Sequence, residues 1–238
     1  MPRVHVGPRY LKGDIGKLAS RFDFVELALS PDAMPKPATL RAWRKEVGPG
    51  FGFSVVLPRS VAELTMTKAM DAELTQAMEA ARILEARCIL LSTEASVRPT
   101  AANIQKLAKV VERLPKPSVA LAWEARGIWE RGEINRVAKQ LGLVPVVDGA
   151  REPLFPGSFV YTRLRSLGVS RDVSARALAG LAEQLRGRRE AWVVVEHPPS
   201  AQRARTELGR QSDQLPAHDA PVVVRPAPGR LRAEDEEQ

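Results

Sequence analysis

Carboxylates end several apolar segments of this 238-residue sequence, and they are the side chains best placed to do chemistry. Glu26, Glu124 and Asp148 each stand at or beside the end of such a segment. Carboxylates that converge can act as general acid and general base, or they can hold a divalent cation. Glu26, Glu124 and Asp148 are therefore the candidate catalytic residues.

Arginines stand near the same segment ends and indicate a different chemistry. A planar guanidinium binds phosphate or carboxylate through parallel hydrogen bonds, so arginines around a concave surface favour an anionic ligand. They would repel a cation, so no metal site is predicted, and the sequence names no cofactor. A purely structural ion-pair network is the alternative, since buried charges persist only when paired. The candidate ligand-binding residues are Arg59, Arg126, Tyr161, Arg163, Arg165, Glu196 and His197.

Short β-rich runs alternate with helical patterns along the chain and would position these side chains. Several runs are almost continuously apolar, which is typical of parallel strands that are covered on both faces. The predicted strands are Val4–Gly7, Phe24–Leu27, Gly52–Leu57, Cys88–Ser92, Ser118–Glu124, Val144–Asp148, Phe159–Leu164 and Ala191–Glu196.

Apolar residues at spacings of three and four predict amphipathic helices between these strands. Thr100 is the expected N-cap of one helix, and Gly142 and Gly187 are expected to end two others. The link from Gly149 to Ser158 is too short and too rich in Pro and Gly for a full helix. One irregular connection is therefore expected between strands six and seven.

This alternation predicts an α/β fold, a single (β/α)8 TIM-type barrel over residues 1–210. An open doubly wound sheet is the main alternative, but no G-x-G-x-x-G turn follows the first strand. Residues 211–238 are rich in Pro, end in acidic residues and lack helical periodicity, so a disordered tail is predicted.

The alternation of side chains along a strand predicts which residues face the barrel interior. On strand seven, Val160 and Leu164 suit the helix side, which leaves Tyr161, Arg163 and Arg165 facing inward. The carboxyl ends of the strands form the mouth where α/β barrels do their chemistry. The candidate residues are therefore expected to meet at that mouth.

Charge and cysteine content constrain the partners. The formal charge of +8 would attract polyanions, but the arginines are scattered, so nucleic acid is only weakly supported as a partner. The single cysteine, Cys88, excludes an intramolecular disulfide. No apolar run reaches the roughly 18 residues of a membrane span, and the opening residues do not resemble a signal peptide. A cytoplasmic protein without a membrane partner is expected, and the oligomeric state is left open.

Several motifs occur in order between residues 1 and 210. They are Phe24-Val25-Glu26-Leu27, Thr39-Leu40-Arg41-Ala42-Trp43, Gly50-Phe51-Gly52-Phe53-Ser54-Val55 with Pro58-Arg59 after it, Glu124-Ala125-Arg126, Asp148, and Phe159-Val160-Tyr161-Thr162-Arg163-Leu164. In this order and spacing they resemble the YecE-like family, domain of unknown function 72, whose members look like α/β barrels. The resemblance implies such a barrel, in a divergent member.

The sequence departs from that family's pattern at several polar positions, so retention of any family activity is left open. The replacements are Ala28 for an asparagine, Val56 for a lysine, Met66 for a histidine, Ser92 for a glutamine, Arg165 for a histidine, and Glu196 with His197 for paired asparagines.

Three functions remain open at this point. The first is a barrel that binds a phosphate- or carboxylate-bearing ligand at its mouth, with metal-assisted hydrolysis of a phosphorylated or nucleic-acid substrate as the reaction if it is an enzyme. The second is an inactive binding barrel with a structural ion-pair network. The third is nucleic-acid association through the basic surface. His5 and His197 could form a two-histidine site if neighbouring strands one and eight bring them together.

Overall fold

The computed structural model describes residues 3–11, 13–115, 118–166 and 172–212, and within these ranges eight strands alternate with helices. The strands are short and rich in β-branched and aromatic residues, which suit a pleated and buried surface. They are β1 Arg3–Pro8, β2 Phe24–Ala28, β3 Gly52–Val56, β4 Cys88–Thr93, β5 Ala120–Ala125, β6 Val144–Pro145, β7 Phe159–Leu164 and β8 Glu190–Val195.

The helices pack one apolar stripe against the strands, and local signals set their ends. The Thr100 hydroxyl accepts the backbone N–H of Asn103 at the start of α5, and Gly142 ends α6 with a φ of 69°. None of these helices is long and apolar enough to cross a membrane. They are α1 Ile15–Ala19, α2 Pro37–Glu46, α3 Arg59–Ala62, α4 Lys68–Ile83, α5 Ala101–Glu112, α6 Arg131–Leu141, α7 Ala175–Leu185 and α8 Pro198–Ser212, with a 3-10 turn at Pro31–Ala33.

Two parallel sheets together form the ring of the barrel, in the orders β1-β8-β7 and β2-β3-β4-β5-β6. At one seam, the N–H of Asp23 donates to the carbonyl of Val6 at 3.0 Å. At the other seam, Val147 pairs with Thr162 of β7. The predicted eight-stranded α/β barrel is confirmed, with a hydrogen-bond ladder that is interrupted at these two seams.

Alternating side chains divide the apolar residues into two layers. Val160, Leu164 and the other outward residues of the strands pack against the helices. The inward residues form a separate group, the interior cluster, which consists of Phe24, Cys88, Leu90, Ala122, Val146, Tyr161, Trp192 and Val194. The predicted directions of Val160, Leu164 and Tyr161 are therefore confirmed, and Arg163 shares the inward side with Tyr161.

The predicted sixth strand, Val144–Asp148, is too long, because its ladder covers only Val144–Pro145. The N–H of Val146 still donates to the carbonyl of Trp123 in β5 at 2.9 Å, and beyond it the chain crosses from β5 toward β7. The carbonyl of Val147 accepts the N–H of Arg163 at 3.3 Å and the hydroxyl of Thr162 at 2.7 Å. The expected absence of a helix between strands six and seven is confirmed.

The predicted tail, residues 211–238, lies outside the described residues from residue 213 onward. Its first two residues belong to α8, which runs to Ser212. His218 also lies outside the described residues, and the disorder of the tail stays a prediction.

Gly52 provides space inside the barrel for the largest member of the interior cluster. The Trp192 ring packs against Phe24 with ring centroids 4.5 Å apart. A Cβ atom on Gly52 would lie 2.5 Å from Cη2 of Trp192. Because the indole is rigid and buried, neither side can yield without repacking the interior.

We expect Gly52→Ala to lower the free energy of unfolding by about 1–3 kcal/mol, the usual cost of overpacking a core. Gly180→Ala is the matched control, because Gly180 lies on α7 with nothing within 4 Å of the added carbon. That control should stabilise the chain by about 0.5–1 kcal/mol through helix propensity. Urea unfolding followed by tryptophan fluorescence measures both. A Gly52→Ala protein as stable as the parent would contradict this packing.

Candidate functional site

Arg163 links two buried carboxylates across the barrel at the carboxyl ends of the strands. Its Nη2 donates to Oε1 of Glu26 at 2.9 Å, and its Nη1 donates to Oε2 of Glu124 at 2.6 Å. The side chains of Arg163, Glu26 and Glu124 are 2%, 0% and 3% exposed. The three residues come from β7, β2 and β5, so the guanidinium spans strands that are not neighbours in the ring.

Hydroxyl groups satisfy the carboxylate oxygens further. Tyr161 donates to Oε2 of Glu26 at 2.7 Å, and its oxygen also pairs with the Ser54 hydroxyl at 2.8 Å. Ser92 donates to Oε2 of Glu124 at 2.6 Å. We call Glu26, Ser54, Ser92, Glu124, Tyr161 and Arg163 the buried network.

Two arginines cover this network from the solvent side. Nη1 of Arg9 binds Oε1 of Glu196 at 2.7 Å, and its Nε lies 3.8 Å from Oε1 of Glu26. Nη2 of Arg165 donates to Oε1 of Glu124 at 2.6 Å. Both arginines are partly exposed. Because each also lies against a buried carboxylate, they stand between the network and water.

Arg126 stands just beyond the end of β5, where its guanidinium makes two long ion pairs. It approaches Glu94 at 3.6 Å and Glu124 at 3.9 Å, and both distances are longer than a hydrogen bond. Within the described part of the chain, no hydrogen bond from this side chain is found. The side chains of Arg126 and Arg165 are 38% and 40% exposed, so both present N–H groups to solvent.

Asp148 holds the backbone where the chain leaves β6. Its Oδ1 accepts the N–H of Ala150 at 3.1 Å, and its Oδ2 accepts the N–H of Arg165 at 3.2 Å. Nε of Arg151 lies 3.2 Å from the same Oδ2. Burial raises the pKa of Asp148 above its ordinary value, although these partners oppose the shift. Its contacts are those of a residue that fixes the chain between β6 and β7.

The pKa values of the two carboxylates in the buried network are shifted in opposite directions. Burial alone would raise the pKa of Glu124, but Arg163, Ser92 and Arg165 together lower it to about 2. Burial does raise the pKa of Glu26, because Arg163, Tyr161 and the more distant Arg9 only partly offset the lost hydration. Burial and the Glu26 charge also raise the pKa of Tyr161 well above its ordinary value, which keeps this hydroxyl a neutral donor.

Most of the predicted site residues meet at the mouth, but Arg59 does not join them. Glu26, Glu124, Tyr161 and Arg163 form the buried network, and Arg126, Arg165 and Glu196 lie around it. Arg59 is exposed on α3 and binds Glu63 at 2.7 Å, four residues along the chain. A position directly after a strand end is therefore not enough to bring a side chain inward, because α3 turns Arg59 toward solvent.

The structure separates the two histidines that were considered as a pair. His5 lies inside β1, where its Nε2 is 3.2 Å from Glu190 and its ring packs against Trp192. His197 follows the other end of β8, and its Nδ1 is 3.0 Å from Asp172. The two-histidine hypothesis is wrong, because neighbouring strands bring residues together only at matching register.

Sequence reasoning missed Arg9 and Ser54. Arg9 continues the inward-facing positions of β1 two residues after Gly7, and Ser54 shares the inward side of β3 with Gly52. Extending the two-residue alternation through every strand, and one step past its end, would have identified both.

The chemistry that this arrangement can support follows from which groups are already occupied. Each carboxylate oxygen of Glu26, Glu124, Asp148 and Glu196 lies against at least one N–H or O–H group. Among the described residues, no group of three or more His, Cys, Asp or Glu side chains is arranged to hold a metal ion. Guanidinium N–H groups, in contrast, remain available at the surface. The mouth is therefore suited to accept an anion.

A family model described as a protein of unknown function, DUF72, matches residues 9–230 of the chain. A DUF72 family protein of Enterococcus faecalis V583 has a similar structure, with a TM-score of 0.73 at 15% identity over 90% of this chain and 99% of that one. A DUF72 family protein of Thermotoga maritima MSB8 reaches 0.66 at 21% identity over 89% and 98%. A search of curated proteins found no match.

Other solved structures share the architecture at lower similarity. An L-ribulose 3-epimerase has a TM-score of 0.57 at 14% identity over 89% of this chain and 96% of that one. A xylose isomerase domain-containing protein of Salmonella typhimurium LT2 has the same TM-score at 12% identity, over 89% and 95%. At these identities the likeness shows the TIM-barrel fold alone.

The opposite pKa shifts predict unequal effects of two isosteric substitutions. Glu124→Gln should lower the free energy of unfolding by about 3 kcal/mol at neutral pH, because the shift from 4.5 to about 2 is lost. Since the folded-state pKa is depressed, this deficit is present above pH 4.5 and shrinks as the pH falls toward about 2.

Glu26→Gln is the matched control and should cost less, because burial already favours the neutral form of that side chain. Denaturant unfolding of both variants and the parent between acidic and neutral pH makes the comparison. Equal losses at every pH would contradict the assigned asymmetry.

Proposed function

The chain belongs to the DUF72 family of proteins of unknown function, and we propose that its barrel mouth binds a small anionic ligand through Arg126 and Arg165. The ligand class is a molecule that carries a phosphate or a carboxylate. The observation that carries this proposal is the guanidinium of Arg126, which is partly exposed and makes only long ion pairs, at 3.6 and 3.9 Å. Arg165 is also partly exposed, and its one side-chain contact in the described residues is made through Nη2.

Both arginines approach the same carboxylate, which brings them close to one another. Nη2 of Arg165 lies 2.6 Å from Oε1 of Glu124, and Nε of Arg126 lies 3.9 Å from Oε2. The proposal places one anion so that it accepts from the remaining N–H groups of both. Hydrogen bonds between charged partners are shorter and about twice as strong as neutral ones.

The buried network favours binding because it holds the base of the mouth rigid. Arg165 is anchored through Glu124, and Glu124 is anchored in turn by Arg163 and Ser92. An anion that meets an arginine already oriented by its neighbours loses less side-chain entropy on binding. The charge of +8 on the whole chain adds a long-range attraction for anions.

Metal-assisted hydrolysis stays a prediction, and no contact of the described residues favours it over binding alone. The same holds for an inactive interaction barrel and for nucleic-acid association. The buried ion pairs support a structural role for Glu26 and Arg163, and that role is compatible with an anion site formed by the two outer arginines.

The test is the affinity for inorganic phosphate and citrate, measured by isothermal titration calorimetry on the full chain. We expect the double variant Arg126→Ala, Arg165→Ala to weaken binding by about tenfold or more, since charged hydrogen bonds of about 1.5 kcal/mol or more are lost. Arg176→Ala is the matched control, because Arg176 is exposed on α7 and has no ion pair within the described residues. Binding that is equal in the double variant and the control would refute the proposal.

A further inference from the structure

A cavity lies at the edge of the mouth, between α1 and the start of α8. Its volume is about 610 Å³, which is within the range of small-molecule sites. The residues that matter for its chemistry are Arg9, Lys17, Arg21, Glu196 and His197. We call it the rim cavity. Arg126 and Arg165 do not line it, so its properties are independent of the function proposed above.

Two side chains hold His197 at the wall of this cavity. Its Nδ1 lies 3.0 Å from Oδ1 of Asp172 and 3.1 Å from the hydroxyl oxygen of Ser200. Ser200 is fully buried, donates its own proton to Oδ1 of Asp172 at 3.0 Å, and accepts the N–H of Val173 at 3.1 Å. The imidazole is thus held from one side by a fixed set of contacts.

The hydrogen bonds of Ser200 decide which ring nitrogen of His197 carries the proton. A serine hydroxyl has one hydrogen, and that of Ser200 is already given to Asp172. The contact between Nδ1 of His197 and this oxygen therefore needs the hydrogen on Nδ1. In the neutral ring, Nε2 is then left as an acceptor, and within the described residues no partner for it is found. His197 can take up a proton at Nε2 while Asp172 stabilises the resulting charge.

Two cations without ion pairs in the described residues face the rim cavity together with His197. Lys17 and Arg21 lie one turn apart near α1, and neither has an ion pair in the described part of the chain. Arg21 binds only the neutral amide oxygen of Gln202, at 2.6 and 3.2 Å. The charged residues that line the cavity or contact His197 are Arg9, Asp14, Lys17, Arg21, Asp172 and Glu196.

With the imidazole neutral, the three cations of that set are balanced by its three carboxylates. Glu196 is paired with Arg9 at 2.7 Å, and Asp172 lies against the ring of His197. Asp14 accepts the N–H of Lys17 as the N-cap of α1. A proton on the imidazole therefore gives the set one net positive charge, which would couple the uptake of a proton to the binding of an anion.

We propose that the rim cavity binds the anionic group of a small ligand and that His197 exchanges a proton with the solvent or the ligand at Nε2. The anionic group is a phosphate, sulfate or carboxylate held by Lys17, Arg21 and the imidazolium. Leu18 and Phe22 provide an apolar wall for the remainder of the ligand. Asp172 is a positioning residue, because it acts through the ring of His197.

Sulfate is the probe, because it is a dianion near neutral pH and does not exchange protons there. Calorimetry of the full chain in two buffers with different ionisation enthalpies measures the protons taken up on binding. We expect an uptake of up to one proton on binding, and an affinity that falls as the pH rises by up to about tenfold per pH unit wherever binding is proton-linked. Sulfate binding without proton uptake and without pH dependence would overturn the proposal.

Substitutions identify the residue that takes up the proton and the residue whose positive charge binds sulfate. His197→Gln should bind sulfate several-fold more weakly and without proton uptake, and Asp172→Asn should take up fewer protons on binding, because the imidazolium loses its carboxylate partner. Lys17→Ala should weaken binding several-fold but keep the uptake, while Lys106→Ala, an exposed lysine on α5, should change neither. If proton uptake persists in His197→Gln, the assignment is wrong.

The Arg126→Ala, Arg165→Ala protein separates this inference from the function proposed above. It should keep the proton-linked sulfate binding of the rim cavity even though its mouth has lost two cations. Loss of the proton-linked binding in this variant would place the site at the mouth instead and overturn the rim-cavity assignment.

Discussion

The loss of water around two carboxylates is the constraint on which the rest of the mouth depends. Glu26 and Glu124 lie almost completely inside the barrel, and removing such a charge from water costs several kcal/mol if nothing replaces the hydration. Arg163 replaces it for both at once, because its planar fork offers one Nη to each carboxylate. The same contacts tie β7 to β2 and β5 across the ring, so one guanidinium satisfies the charges and fixes the spacing of three strands.

The surroundings of these carboxylates explain why the pKa of Glu124 is lowered and that of Glu26 is raised. Glu124 receives two guanidinium groups and a serine hydroxyl in hydrogen-bonding contact, so its charged form is favoured despite burial. Glu26 receives one guanidinium and one tyrosine hydroxyl, with Arg9 further away, so burial prevails. The difference amounts to one hydrogen-bonded cation. The mouth is consequently asymmetric, with its firmly anionic side beneath Arg126 and Arg165.

The spacing of apolar residues and the alternation of strand and helix patterns were sufficient to predict the barrel, because parallel strands and amphipathic helices leave strong local signals. The bounds of β7 were predicted to the residue, and the caps at Thr100 and Gly142 have the expected form. The bounds of the sixth strand were not, since the chain leaves β5 after Val146 and Val147 pairs with β7 instead. The convergence of Glu26, Glu124 and Arg163 followed from the inward alternation. The position of Arg59 did not, because the direction of a short helix depends on packing.

The positions at which the sequence departs from the pattern that the family resemblance implies fall on two sides of the mouth. Ser92 and Arg165 stand at two of them, and both donate hydrogen bonds to Glu124. Ala28, Val56 and Met66 carry no charged or strongly hydrogen-bonding side chain, and they stand at or after the ends of β2 and β3. The polar contacts made from these positions are therefore concentrated on the β4, β5 and β7 side, where Arg126 also stands. A buried carboxylate keeps its charge only when partners replace its hydration, and Ser92 and Arg165 are two of the partners that lower the pKa of Glu124 to about 2.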